Sequence, residues 1–135
     1  MSSLSVFGNY THLKTSGDYG GSSASPVTDL AGFVPKAANI GIALTRWGLD
    51  IRVKSTYKGG FLSRYSTNAG AVRHRHPRTN IDLNILYRFT PRYSVYFDWA
   101  NIENAIDIDY QYRPEQRRDN NPTGSRFNFG ARMKL

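Results

Sequence analysis

The sequence predicts an all-β fold in which about six long strands follow one another in an antiparallel up-and-down meander. Three observations support this prediction. Apolar and polar residues alternate with a period of two, as along Leu49–Tyr57, and such alternation is typical of strands with two different faces. The alternating segments are about ten residues long, whereas globular strands average about five or six. The connections between the segments alternate between long and short.

The six predicted strands follow in order. The first, about Leu4–Lys14, is the least regular because Phe7 breaks its alternation. The other five cover residues 38–45, 49–57, 78–89, 93–100 and 126–135. In these five segments only Leu86 breaks the alternation of apolar and polar residues. Short turns are predicted at 46–48 and 90–92, and long irregular connections, with Gly-Gly and Asn-Asn-Pro segments, at 15–35, 59–77 and 103–124. A tilted strand that crosses a bilayer needs about nine to eleven residues, and outer-membrane barrels have short turns at one rim and long loops at the other. The pattern therefore predicts part of a transmembrane β-barrel.

Aromatic residues are placed consistently with this prediction. One group lies beside the short turns and a second lies nearer the long connections. The groups are Trp47, Tyr87, Phe89 and Tyr93, and Tyr10, Tyr57 and Trp99. Two such bands are typical of the aromatic girdles of membrane barrels.

Composition limits the alternatives. The chain has 135 residues, which fits one domain, and it has no cysteine, so disulfides, thiolate metal sites and cysteine nucleophiles are excluded. No apolar run approaches the length of a membrane helix, and Met1–Ser5 lacks the features of an export signal. The net charge is +8, yet the three long connections contain seven acidic and six basic residues. The positive excess therefore lies on strands and short turns, which favours a charged lumen over a nucleic-acid surface.

Several segments, in this order and spacing, resemble the C-terminal barrel strands of TonB-dependent outer-membrane receptors. They are the segments Leu4–Thr11, Gly32–Gly41, Ile81–Ile85, Asn101–Asn104 and Arg126–Arg132. The resemblance covers essentially the whole chain, with Asp98–Asn104 similar to a family segment that ends Asn-hydrophobic-x-Asn. It implies a location in the outer membrane of a Gram-negative bacterium. It also implies that residues 1–135 form the C-terminal part of a longer receptor barrel, a fragment without plug domain or signal peptide.

The resemblance also implies a function and partners. Family members take up nutrients such as siderophores, using energy that the TonB complex delivers to a plug inside a barrel of about 22 strands. This chain would supply barrel wall and ligand-mouth loops, and it would contact outer-membrane lipid, lipopolysaccharide, the plug and the remaining barrel. The barrel-insertion machinery would read a C-terminal signal formed by Phe127, Phe129, Gly130 and Leu135. Leu135 departs from the family, which usually ends in an aromatic residue. No cofactor is implied.

The strongest candidate site is Arg73-His74-Arg75-His76, in the second long connection. The two histidines could hold a metal, but metal sites normally need at least three ligands and no further ligand lies nearby in sequence, so no metal is expected. Contact with an anion, such as a lipid phosphate or an acidic siderophore, is one interpretation, and a solvated loop is the other. Asp107 and Asp109 lack calcium-loop spacing and are interpreted as loop residues.

Charged residues on the polar strand positions form the second candidate group and are predicted to face the lumen. They are Arg52, Lys54, Asp82, Arg88 and Asp98. Cross-strand pairing explains these carboxylates better than acid/base catalysis, because nothing fixes the separation that catalysis requires. No nucleophile elbow, phosphate loop or zinc motif is present, so no enzyme activity is expected.

Two alternative functions remain. A basic sheet can bind nucleic acid when aromatic and basic residues share one face, but here they alternate onto opposite faces. A small soluble carrier barrel would have apolar residues inside and polar residues outside. Alternation alone does not distinguish this carrier from a membrane barrel.

Overall fold

The computed structural model describes residues 2–20, 29–111 and 113–134. These residues form an all-β structure with antiparallel strand pairing throughout. The strands of the described residues are β1 (Ser2–His12), β2 (Lys36–Arg46), β3 (Leu49–Lys58), β4 (Phe61–Arg64), β5 (Arg73–Arg75), β6 (Arg78–Arg88), β7 (Tyr93–Ala100), β8 (Ile106–Gln111), β9 (Arg117–Pro122) and β10 (Arg126–Met133). The predicted all-β antiparallel class is confirmed.

The long strands form one six-stranded sheet in the order β1-β2-β3-β6-β7-β10. This is the predicted meander, because each of these strands pairs with the next long strand along the chain. Within the described residues the sheet does not close on itself. Strands β1 and β10 are its two edges, so the fold is an open sheet and no closed barrel is seen.

The prediction of irregular long connections is wrong for two of the three. The connection 59–77 contains β4 and β5, and the connection 103–124 contains β8 and β9. These strands form a second sheet, here called the small sheet, in the order β4-β5-β8-β9. Two hydrophobic side chains of the described residues are buried: Leu62 lies on β4, and Val72 directly precedes β5. The strands were missed because each is only three to six residues long, too short to show a period.

The register of the six-stranded sheet aligns its apolar residues across all strands. One continuous row of direct partners consists of Val6, Ile42, Val53, Leu83, Trp99 and Phe127, and the next consists of Leu4, Leu44, Ile51, Ile85, Phe97 and Phe129. Since side chains of directly paired residues project to the same side of a sheet, these rows define a single apolar face.

The opposite side, here called the polar face, is aligned in the same way. The row Ser5, Ala43, Arg52, Asn84, Asp98 and Asn128 crosses all six strands. Phe7 also lies on this face, where its ring covers Gly41 of the neighbouring strand: a methyl group on Gly41 would meet the Phe7 ring at 2.2 Å. Tyr96 covers Gly130 in the same manner. Each aromatic ring fills the space that a glycine leaves on the adjacent strand, which explains the irregular position of Phe7.

The apolar face has no cover among the described residues. Phe129 is 74% exposed, Phe127 70% and Leu4 68%, and exposed large hydrophobic residues occur on all of the six long strands. Soluble monomers rarely expose contiguous apolar patches of more than a few hundred Å². The apolar face is therefore unlike the surface of a typical soluble monomer.

The two short turns are as predicted. Trp47 and Gly48 both have positive φ, 49° and 82°, which is the requirement of the two-residue turn that best matches strand twist. Gly48 also lies close to β6, since a methyl group there would be 2.6 Å from the Arg88 carbonyl oxygen. In the second turn, the Thr90 hydroxyl accepts hydrogen bonds from the backbone N–H groups of Arg92 and Tyr93, both at 3.2 Å.

Candidate functional site

The small sheet places the candidate ligand-mouth residues at the long-connection end of the molecule. Arg73, His74 and Arg75 form β5, and His76 follows directly. The first long connection joins them, because the Gly32 N–H donates to the Leu62 carbonyl at 2.8 Å and Tyr19 stacks on Tyr65 with ring centroids 3.8 Å apart. All three long connections therefore meet in one assembly.

Two arginines of this region are paired within the chain. Arg75 donates two hydrogen bonds to Asp109, from Nε at 2.8 Å and from a terminal nitrogen at 3.1 Å, and Arg78 lies 2.9 Å from a carboxylate oxygen of Asp107. The hydrogen bond with Arg75 lowers the pKa of Asp109, and the same bond raises the pKa of Arg75. Such bidentate pairs are geometrically specific. These contacts fix β5 and the start of β6 against β8.

The interpretation of Asp107 and Asp109 as loop residues is wrong, because both belong to β8. They project to one side of that strand, separated by Ile108, and so reach two arginines that are distant in sequence. Their alternation around an apolar residue was the available signal, but three residues are too few to establish a period.

The histidines pack on Tyr110 of β8. The His74 ring stacks on Tyr110 with a centroid distance of 5.3 Å, and the His76 ring is tilted against it at 4.7 Å. The Nδ1 atom of His74 is buried without a hydrogen-bond partner. Burial lowers the pKa of His74, partly opposed by the charge of Asp29, which favours the neutral form of the ring. In the described part of the chain no group of three or more His, Asp or Glu side chains is placed to hold a metal ion.

A cleft of about 610 Å³ opens beside this aromatic group. The small sheet contributes Leu62, His74 and Tyr110, and the segments around the first long connection contribute Lys14 and Asp29. Its volume falls in the range of small-molecule sites, about 300–1,000 Å³. The chain therefore has room for a ligand at the position where the sequence predicts a mouth.

The predicted lumen-facing residues all lie on the polar face. Arg52, Lys54, Asp82, Arg88 and Asp98 occupy register positions opposite to the apolar rows. Lys54 and Asp82 are direct partners, 3.5 Å apart, and the Asn84 amide donates to Asp98 at 2.8 Å. Asp82 therefore has a basic cross-strand partner of the kind expected from the sequence, whereas the cross-strand partner of Asp98 is an amide. A lumen around this face stays a prediction.

One residue that the sequence did not single out connects the two sheets. Asn101 is 5% exposed and has a left-handed backbone, with φ 55°, a conformation that asparagine tolerates better than most residues. Its side-chain amide donates to the carbonyls of Ala105 and Gly124 at 3.1 and 3.0 Å, and its side-chain oxygen accepts from the Ala105 N–H at 2.9 Å.

The backbone of Asn101 is bound from the other side. Its N–H donates to the Asp82 carboxylate at 3.0 Å, and the neighbouring Ile102 N–H donates to the Ile81 carbonyl at 2.9 Å. Asn101 therefore fixes the start of the β8–β9 hairpin on the first half of β6. In sequence, only its place in the receptor-like segment Asp98–Asn104 hinted at importance.

Three residues of the predicted insertion signal lie on the edge strand β10. Phe127 and Phe129 project from the apolar face, and Gly130 lies under Tyr96 on the polar face. Leu135 lies outside the described residues. The structure shows an edge strand with two exposed aromatic side chains, and its recognition by the insertion machinery stays a prediction.

Comparison with known proteins gives no relative: no family model matches this sequence, and neither a curated protein nor a solved structure matches it significantly. Among residues 2–20, 29–111 and 113–134, no helix is long and apolar enough to span a membrane.

We expect replacement of Asn101 by alanine to loosen the small sheet. Asn101→Ala removes four side-chain hydrogen bonds in a buried site, and each unsatisfied buried group costs about 1–3 kcal/mol. Unfolding by urea in detergent micelles should show a loss of at least about 2 kcal/mol, with faster amide exchange in β8. Asn104→Ala is the matched control, because Asn104 also has a left-handed backbone, with φ 52°, but is exposed. Equal losses for the two variants would show that only backbone conformation matters.

Proposed function

We propose that this chain forms part of the wall of a transmembrane β-barrel, with the apolar face toward lipid and the polar face toward an aqueous lumen. The observation that carries the proposal is the uncovered apolar face, which is aligned across six strands. Only barrels and helices satisfy all backbone groups inside a bilayer, and the long strands match the length that a barrel strand needs.

The two edges of the sheet support an incomplete barrel. Strands β1 and β10 each leave one side of the backbone unpaired, and every unsatisfied amide in hydrocarbon costs several kcal/mol. Because β1 runs toward the long connections and β10 runs away from them, further strands in an antiparallel order can join both edges. The chain is then a segment of a larger barrel.

Within this proposal the most specific function is that of a TonB-dependent receptor segment. The receptor-like segments named above support it, including Asp98–Asn104, whose Asn101 is buried in the joint between the sheets. The small sheet and its cleft of about 610 Å³ then contribute to the ligand mouth, where a siderophore or similar nutrient would enter. Energy would reach the receptor through a plug, which contacts the polar face.

The separation of faces disfavours the alternatives. Most aromatic residues project from the apolar face, whereas Arg52, Lys54 and Arg88 project from the polar face, and this arrangement disfavours one surface that both stacks bases and binds phosphates. A soluble carrier would have to enclose its apolar residues, and here they lie on an open and exposed sheet face.

A pair of neighbouring substitutions tests the lipid-facing assignment. Leu83→Arg places a charge in the middle of the apolar face and should cost about 2–4 kcal/mol if the site is near the bilayer midplane. Asn84→Arg is the control, since residue 84 is adjacent in sequence and projects from the polar face beside Asp98. The measurement is reversible unfolding of the chain in lipid vesicles. A neutral Leu83→Arg variant would contradict lipid exposure.

The receptor assignment has a separate test in the gene. We expect the DNA upstream of the Met1 codon, in the same or a shifted frame, to encode further strands of about ten alternating residues and a plug domain. Sequencing that region is sufficient. An unrelated upstream region, together with a stable and water-soluble purified chain, would favour the carrier interpretation.

A further inference from the structure

Two cations lie directly opposite each other where β3 and β6 meet the small sheet. Lys58 and Arg78 are register partners, and both project from the polar face. Like charges at directly paired positions are destabilising, because the Cβ atoms of such a pair are only about 4.5–5.5 Å apart. Negative charge at this position would therefore stabilise the sheet.

The chain supplies part of that charge in a small pocket of about 110 Å³. Lys58, Arg75, His76 and Arg78 line it, with Asp107 as its acidic member. Asp107 pairs with Arg78, and Asp109 is occupied by the bidentate contact with Arg75. Among the described residues no carboxylate lies within ion-pair distance of Lys58. Three cations thus share two carboxylates, and the uncompensated positive charge is that of the Lys58 ammonium.

We propose that this pocket binds the phosphate group of a soluble ligand. A tetrahedral oxyanion has several acceptor oxygens, so it can accept from the Lys58 ammonium and from the Arg78 guanidinium at once, which relieves the repulsion between them. The pocket belongs to the polar face and to the base of the small sheet. The assignment to a soluble ligand instead of a lipid headgroup rests on the proposed function, in which that face is turned away from lipid.

Binding of inorganic phosphate and of glycerol phosphate to the full chain in detergent micelles tests the proposal. Calorimetry should show saturable binding of both compounds to the unsubstituted chain. Lys58→Gln should weaken it about tenfold or more, the effect of losing a hydrogen bond to a charged group. Arg126→Gln is the control, because it removes the same charge at an exposed position outside the pocket, and its affinity should stay within about twofold of the unsubstituted chain.

A third variant should change the affinity in the opposite direction. Asp107→Asn removes the carboxylate that competes with phosphate for Arg78, so the folded variant should bind phosphate several-fold more tightly. A purely structural role for Asp107 gives no tighter binding. The proposal is overturned if the unsubstituted chain does not bind phosphate, if Lys58→Gln and Arg126→Gln behave alike, or if Asp107→Asn binds no more tightly.

The source of the phosphate is distinguished by a second set of micelles that contain phosphatidic acid. Binding of this lipid that depends on Lys58, without binding of inorganic phosphate, would overturn the soluble-ligand proposal in favour of a headgroup site. The result is independent of the Leu83→Arg experiment. If the unsubstituted chain binds no phosphate while Leu83→Arg is strongly destabilising, the anion site alone is refuted. If the unsubstituted chain binds phosphate while Leu83→Arg has no effect on stability, the membrane proposal alone is refuted.

Discussion

The structure depends on one constraint, which is that each long strand alternates apolar and polar residues in the same register as its neighbours. A shift of one residue in any pairing would move a whole set of apolar side chains to the other face. Here six strands stay in phase, so that Val6 and Phe127 end a single row that crosses the entire sheet. The consequence is a two-sided surface, apolar on one side and charged on the other, without a hydrophobic core of its own.

The small sheet depends on contacts of a different kind. Among the described residues, the buried apolar side chains at this sheet are few, Leu62 on β4 and Val72 just before β5, and the sheet is held largely by polar interactions. Asn101 anchors the β8–β9 hairpin to β6, and the pairs of Arg75 with Asp109 and of Arg78 with Asp107 join that hairpin to β5 and β6. Through Asp82, which bonds both Asn101 and Lys54, these contacts are continuous with the polar face. The candidate mouth is therefore fixed to the side of the sheet that we propose lines the lumen.

Periodicity was sufficient to predict the long strands, both short turns and the division of residues between two faces. This succeeded because strands of eight to eleven residues repeat the period several times. The small sheet could not be predicted in the same way, since β5 has three residues and one of its two partner strands, β8, comes from another connection. Nor could the pairing of Arg75 with Asp109, because it joins residues 34 positions apart and depends on a topology that no local pattern specifies.

The most direct test of the two-sided surface is site-directed labelling, which is straightforward because the chain has no cysteine. Single cysteines would be introduced at Val53 and Ile85 on the apolar face and at Arg52 and Asn84 on the polar face, in chain inserted into lipid vesicles. The account predicts that spin labels at 53 and 85 are relaxed by lipid-soluble oxygen and shielded from a water-soluble paramagnetic reagent, with the reverse at 52 and 84. Strong access of the aqueous reagent to both 53 and 85 would contradict a lipid-facing sheet.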